Sequence, residues 1–184
     1  MVHAERVVYD SPWVQVALAD VETPDGRRVP EHHVLRSPLQ AAGCVVHDPA
    51  TDAVLLIWRH RFITDSWGYE VPAGRGEPGE SMSDAAAREA LEETGWRPRL
   101  PLLPLASWHP SNGLIDQTFT AFLALGADRE GEPSDPSEAA RVEWLPRVEV
   151  ERLVDAGEVR DGLSLTALLA WLRRSRAAAD GTPG

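Results

Sequence analysis

One stretch constrains this chain more than any other. From Ser83 to Thr94 runs "SDAAAREALEET", a segment of good helix formers that opens on a Ser/Asp capping signal and stops at Gly95. It carries Glu89, Glu92 and Glu93 at helical spacing, with Arg88 beside them. Residues three and four apart share a helix face, so the three carboxylates project over one patch. Ala87, Ala90 and Leu91 lie toward another side, suited to packing on a sheet. Like charges so placed repel, although Arg88 and Glu92 are four apart and can pair. The preceding loop, from Pro72 to Gly79, contains Gly74, Gly76 and Gly79. It can fold back tightly and offer backbone carbonyls or amides near the carboxylates.

The rest of the chain is rich in strand patterns. "RVVYD", "WVQVALADVE" and "RRVPEHHVLR" come first, with "TPDGR" as a hairpin turn between the second and third. "AAGCVVHD" and "AVLLIWRHR" follow, separated by "DPATD", and "YEVPAG" is a short strand running into a Gly/Pro loop. After the carboxylate helix, "LPLLPLASWHP" and "QTFTAFLALGA" read as strands around the loop "HPSNGLID". "DREGEPSDPSEAA" reads as an acidic loop, and "RVEWLP" as another strand. "RVEVERLVDAG" and "LSLTALLAWLRRSRAAA" are helical. Strands and helices that do not alternate regularly indicate an α+β sandwich and not a doubly wound sheet.

Composition excludes several classes. With 18 basic against 29 acidic residues the formal net charge is −11, which argues against general nucleic-acid binding. A bound divalent cation can still reverse the local sign for a small anionic substrate. Cys44 is the only cysteine, so neither an intrachain disulfide nor a thiolate zinc cage is expected, and in an apolar strand it reads as inert packing. No segment has the apolar length of a membrane span, and the start lacks a secretory pattern, so a cytoplasmic location is expected.

Hard oxygen ligands at close quarters suit Mg²⁺ or Mn²⁺, which points to phosphate-ester or diphosphate chemistry. An acidic helix alone is most often a solvated face. The full constellation is more specific. Gly74, Glu80, Arg88, Glu89, Glu92, Glu93 and Gly95 occupy every fixed position of the Nudix box, G-x5-E-x7-R-E-U-x-E-E-x-G-U. Seven such matches arise by chance with odds on the order of 10⁻⁸ per start position. The chain therefore resembles a Nudix hydrolase, with Ala90 and Trp96 at the two aliphatic U positions. The likeness extends from about Ala42 to Ala167. "YEVPAGRGEPGE" resembles a run typical of the ADP-ribose pyrophosphatase branch, and "WRHR" sits where that branch has R-Q-Y-R, with Arg59 in place of the glutamine. "HPSNGLIDQTFTAFLA" resembles its post-box loop.

The resemblance implies an α+β fold, a Nudix-type α/β/α sandwich with a mixed sheet plus an N-terminal antiparallel β-extension. The expected division is 1–38 for the N-terminal strands, 39–176 for the Nudix domain and 177–184 for a disordered tail. It implies metal ligation by Ala73 (through its carbonyl), Glu89, Glu92 and Glu93, with Mg²⁺ or Mn²⁺ as cofactor. Glu80 and Arg88 would support these ligands and orient them. Arg61 would reach a phosphate oxygen. Glu70, Trp67, Pro110 and Asn112 would contact substrate. In that branch a glutamate on a mobile loop before the last strand often serves as base, and Glu138 falls there. Its rivals are Glu132 and Glu143, the latter fixed within a strand pattern. Trp13 and Trp108, like Trp67, lie near loops that can offer a stacking surface. His32, His33 and His109 lack matched partners and read as surface or core histidines rather than ligands.

The implied activity is hydrolysis of the diphosphate linkage of a nucleoside diphosphate joined to another moiety, foremost ADP-ribose to AMP and ribose 5-phosphate. Another sugar nucleotide or a dinucleotide is the alternative. The S-Q-P-W-P-F-P motif of NADH-specific relatives is absent, as are the marks of coenzyme A hydrolases. A domain that senses a sugar nucleotide without cleaving it is the alternative from a different class, disfavoured by the intact carboxylates. The partners implied are a small-molecule substrate and a second copy in a homodimer, with neither nucleic acid nor membrane.

Overall fold

The N-terminal strands form a meander because their valine-bearing runs are punctuated by turn residues. The structure, a computed structural model, describes residues 1–134 and 140–179. It divides into two compact units: residues 1–40 with 108–118, and residues 41–107 with those from 119 onward.

In the first unit, β1 (Val2–Asp10), β2 (Gln15–Glu22) and β3 (Arg28–Arg36) form an antiparallel sheet in that order. The β2–β3 turn needs Gly26, whose φ of 82° lies in the left-handed region, and Gly26 N donates to Thr23 O at 2.9 Å. β2 is central, and its Ala17 and Ala19 are fully buried. The segment 108–118 joins this unit along the end of β3. Leu35 N donates to Leu114 O at 2.7 Å, Asp116 N donates to Leu35 O at 3.2 Å, and Ser37 N donates to Asp116 Oδ1 at 2.8 Å. The sequence stretch read as the loop between two later strands is therefore an additional partner of the N-terminal sheet.

The second unit is built on a mixed sheet. Its path is β12 (Arg141–Pro146), β5 (Ala53–Arg61), β4 (Ala41–Asp48), β10 (Phe119–Leu125) and β9 (Leu103–Trp108). β6 (Ser66–Glu70) pairs with β5, and β7 (Ala73–Arg75) pairs with β4. β4 and β10 are parallel; β4–β5, β5–β12, β5–β6 and β4–β7 are antiparallel. β8 (Trp96–Pro98) and β11 (Ala127–Arg129) form a separate two-stranded ribbon, from which Trp96 and Ala127 pack on the core beside α1. β11 occupies the start of the stretch expected to be loop.

Alternation along β4 separates two helical layers. Ala42, Cys44 and Val46 meet Ala85, Ala86 and Ala90 of α1 (Met82–Thr94) in one buried cluster. On the other side His47 packs on Trp171, ring centroids 5.2 Å apart, from α3 (Gly162–Ala179). α2 (Arg147–Asp155) buries Val150 and Leu153. The result is the expected α/β/α sandwich. α1 starts one residue before the expected Ser83, because the cap is Ser81, whose Oγ accepts from Asp84 N at 3.1 Å. It ends as expected at Gly95, φ 73°, whose N donates to Leu91 O at 2.7 Å. α3 runs to Ala179, so the segment set off at 177 begins inside the helix; residues 180–184 lie outside the described ones. Among the described residues no helix is long and apolar enough to cross a membrane.

Candidate active site

The small alanines of α1 let the helix lie close on the sheet, which turns its glutamates toward β7 and the end of β5. Arg88 organises the outer carboxylates. Its Nε and Nη2 donate to the two oxygens of Glu80 at 2.9 and 3.1 Å, and Nη1 donates to Glu89 at 2.8 Å and Glu92 at 3.0 Å. Nη2 also donates to the carbonyl of Arg75 at 2.9 Å, tying α1 to β7. Glu80 in turn accepts from Glu77 N at 2.9 Å, which pins the glycine loop. The Glu80 carboxylate holds the Arg88 guanidinium above its ordinary pKa, and Arg88 holds Glu80 below its own.

Glu93 sits deepest, 3% exposed. Ala73 N donates to its Oε2 at 2.8 Å, and Arg59 Nη1 donates to its Oε1 at 2.7 Å. Burial pushes the Glu93 carboxyl up to about 7; Arg59 and the Ala73 amide pull it back only in part. Gly74 is there for space. A Cβ at that position would fall within 2.5 Å of all three carboxyl atoms of Glu89. The backbone of β7 thus approaches Glu89 as closely as glycine permits.

A second group of expected residues lines a cleft of about 540 Å³ at the β5–β6 end. Arg61 donates to both oxygens of Glu70, at 2.9 and 2.5 Å, and this fork pairs a half-exposed guanidinium with a carboxylate that is 4% exposed. Trp67, Ser66 and Gly68 lie beside them, and Arg160 and Asp161 complete the wall. Asp161 also caps α3, accepting from Ser164 N at 2.7 Å. The hydrogen bonds from Glu70 raise the Arg61 pKa above its ordinary value, with weaker attraction from Asp161 and Glu93.

The structure thus brings Ala73, Glu80, Arg88, Glu89, Glu92 and Glu93 together, and groups Arg61, Trp67 and Glu70 along the cleft. Pro110 and Asn112 belong to the first unit and are exposed on its 108–118 segment. Glu138 lies outside the described residues. Of its rivals, Glu143 accepts from Tyr69 OH at 2.6 Å within β12, and Glu132 pairs with Arg129 at the surface. His32 and His33 are exposed, with His32 Nε2 3.1 Å from Gly113 O, and His109 Nδ1 is 3.1 Å from Gln117 O. Cys44 is buried, and its thiol is pushed up to about 12 by burial. Trp13 is exposed and Trp108 half-buried. Trp96, at an aliphatic box position, packs edge-on against Trp144 at 5.3 Å.

Two residues were missed from sequence. Arg59 stands in the sequence only as a replacement for a glutamine, although strand alternation places it on the same face as Arg61. Arg160 carried no signal, since only the packing of α3 brings it to the cleft.

The donors here are hard oxygens, and the close approach over Gly74 makes a cradle that a side chain would fill; both suit a small divalent cation. Among the described residues no three His, Cys, Asp or Glu side chains converge as a finished metal cage. Arg59 and Arg88 occupy oxygens that such a cage would use.

Fold and box together define a class. The Nudix domain family matches residues 37–165, and a nucleoside diphosphate sugar hydrolase N-terminal domain matches residues 2–35. The chain belongs to the Nudix family of hydrolases, which act on nucleoside diphosphate derivatives. Among particular relatives, a CMP-5'-(N-acetyl-N-hydroxy-3-aminopropyl)phosphonate hydrolase of Streptomyces rubellomurinus is 40% identical over 91% of this chain and 80% of its own. An ADP-ribose pyrophosphatase of Bacillus subtilis is 26% identical over 90% of this chain and 88% of its own. A solved structure described as an ADP compounds hydrolase superposes with a TM-score of 0.81 at 20% identity, covering 100% of this chain and 96% of that one, a likeness of fold.

Proposed function

We propose that this protein is a divalent-metal-dependent hydrolase of the P–O–P link between a nucleoside 5'-phosphate and a second phosphorus-bearing group, with ADP-ribose the leading substrate. The observation that carries this is the pairing of a nearly buried Glu93, held at both oxygens, with Glu89 pressed over Gly74. Glu89, Glu93 and the Ala73 carbonyl would hold Mg²⁺ or Mn²⁺, with Glu92 assisting. When bound, the ion neutralises the diphosphate and lowers the pKa of the attacking water. Arg88 and Glu80 keep the carboxylates from drifting apart under their own repulsion. Arg61, fixed by Glu70 through Nε and Nη2, would turn its remaining N–H groups to a phosphate oxygen at the cleft. Glu138 would take the proton from water. The water oxygen joins one phosphorus as the bridging P–O bond breaks, and ADP-ribose plus water yields AMP and ribose 5-phosphate.

The 40% identical relative favours a second substrate with the same bond, a CMP-linked phosphonate, which would give CMP and the free phosphonate. A homodimer through the N-terminal strands and a cytoplasmic location belong to the same proposal. β1 at its sheet edge, exposed along its length, is consistent with such pairing.

The test is a panel of ADP-ribose, other sugar nucleotides, dinucleotides, nucleoside triphosphates and a CMP-linked phosphonate, each with Mg²⁺ or Mn²⁺. Products are followed by ³¹P NMR in ¹⁸O-water. Metal-dependent release of a nucleoside monophosphate supports the proposal. Tight binding of one compound without turnover of any overturns it in favour of a sensor.

A further inference from the structure

Arg59 and Arg61 sit two residues apart on β5 and each meets a buried carboxylate, but they meet it differently. Arg61 engages both oxygens of Glu70 as a fork. Among the described residues Arg59 makes one side-chain hydrogen bond, Nη1 to Glu93 Oε1 at 2.7 Å, with its side chain only 12% exposed. A guanidinium has five N–H donors, so most of those on Arg59 find no hydrogen-bond partner among the described residues. Spending so little of a buried cation on hydrogen bonds leaves charge as its main contribution. Glu93 would otherwise be a buried anion at the bottom of a carboxylate cluster, which is costly without a partner.

Oε2 of Glu93 accepts from the Ala73 amide and Oε1 from Arg59, so of the two donors only the arginine, carried on a side chain, can move aside for a cation. A divalent ion at Oε1 would face the guanidinium at short range, and the two positive charges repel strongly in a site of low dielectric. Both cannot be served at full strength by one oxygen. A single hydrogen bond is also easier to give up than a fork.

We propose that Arg59 is a displaceable counter-cation: it holds Glu93 in place before the metal arrives and leaves Oε1 when the metal binds, so that it sets the protein's affinity for the ion. Arg59 is a positioning residue for Glu93. The inference rests on the metal-dependent reading of the site. It makes a prediction opposite to that for an arginine that merely orients its ligand, whose removal would weaken metal binding.

The experiment is Mn²⁺ titration of the whole protein by calorimetry and by Mn²⁺ electron paramagnetic resonance, without substrate, for wild type, Arg59→Gln and Glu93→Gln. Arg59→Gln is expected to bind Mn²⁺ about tenfold more tightly than wild type, with a lower melting temperature before Mn²⁺ and a larger Mn²⁺-induced rise. Equal or weaker Mn²⁺ binding by a folded Arg59→Gln overturns the inference. Should that variant not fold, ¹⁵N NMR of the guanidinium groups in wild type decides the matter. The Arg59 signals should shift on saturation with Mg²⁺, and signals that stay put overturn the inference. Wild type that binds no Mn²⁺, or Glu93→Gln that binds it as well as wild type, would instead refute the metal site itself.

Discussion

Gly74→Ala should separate the site from the fold. Position 74 pairs with Ala42 in the β4–β7 ladder, and its φ lies outside the left-handed region, so the backbone accepts alanine. The new Cβ would fall within 2.5 Å of the Glu89 carboxyl, whereas ordinary contact begins near 3.4 Å, so the carboxyl must retreat by about 1 Å. It is the far end of a flexible side chain and can do so by leaving its rotamer, at roughly 0.5–1.5 kcal/mol. For a chain of this size that lowers Tm by less than about 6 °C. Catalysis has no such tolerance: a misplacement of about 1 Å costs on the order of 100-fold, or about 2.7 kcal/mol of transition-state stabilisation. The assay pairs kcat at saturating Mg²⁺ with thermal denaturation. A variant that keeps half the wild-type kcat, or one that no longer folds, would refute the reasoning.

Gly95→Ala should do the reverse of Gly74→Ala. Its φ is 73°, and a Cβ there meets the backbone of Gly131, which cannot swing away, so a stability loss of about 3 kcal/mol is expected in denaturant melts. Asp52 is held down to about 2 by hydrogen bonds from Arg147, below its unfolded value, so its stabilisation is present above about pH 4 and is lost as pH falls through 2. Because the Asp52 side chain is 55% exposed, Asp52→Asn should cost under about 1 kcal/mol at pH 7, and the difference from wild type should vanish by about pH 2 in urea melts. Glu138→Gln is expected to lower kcat far more than it raises KM; an unchanged kcat removes Glu138 from the mechanism.

Much of the second unit was legible because its signals are local. A run of alanines closed by glycine specifies α1 from within, and the box spacing specifies which side chains share its face. The cap was misplaced by a residue or two because Ser81 and Ser83 offer similar chemistry, and only the hydrogen bond to Asp84 decides between them. The loop "HPSNGLID", 109–116, shows no pairing in the sequence, since its partner, Leu35, is about eighty residues earlier. β8 and β11 escape the sequence for a different reason: three-residue strands carry too few side chains to show a period.

The amino-acid sequence alone determined the carboxylate helix, the glycine that lets a strand approach it and the class of chemistry those oxygens suit. These follow from spacing along one turn of chain, where geometry leaves little choice. The tertiary structure decided which cations sit against those oxygens. Arg59 meets Glu93 across 34 residues and Arg160 reaches the cleft of Arg61 only through the packing of α3. The charge balance of a buried site is a sum over neighbours in space, and most of those neighbours are distant in the chain.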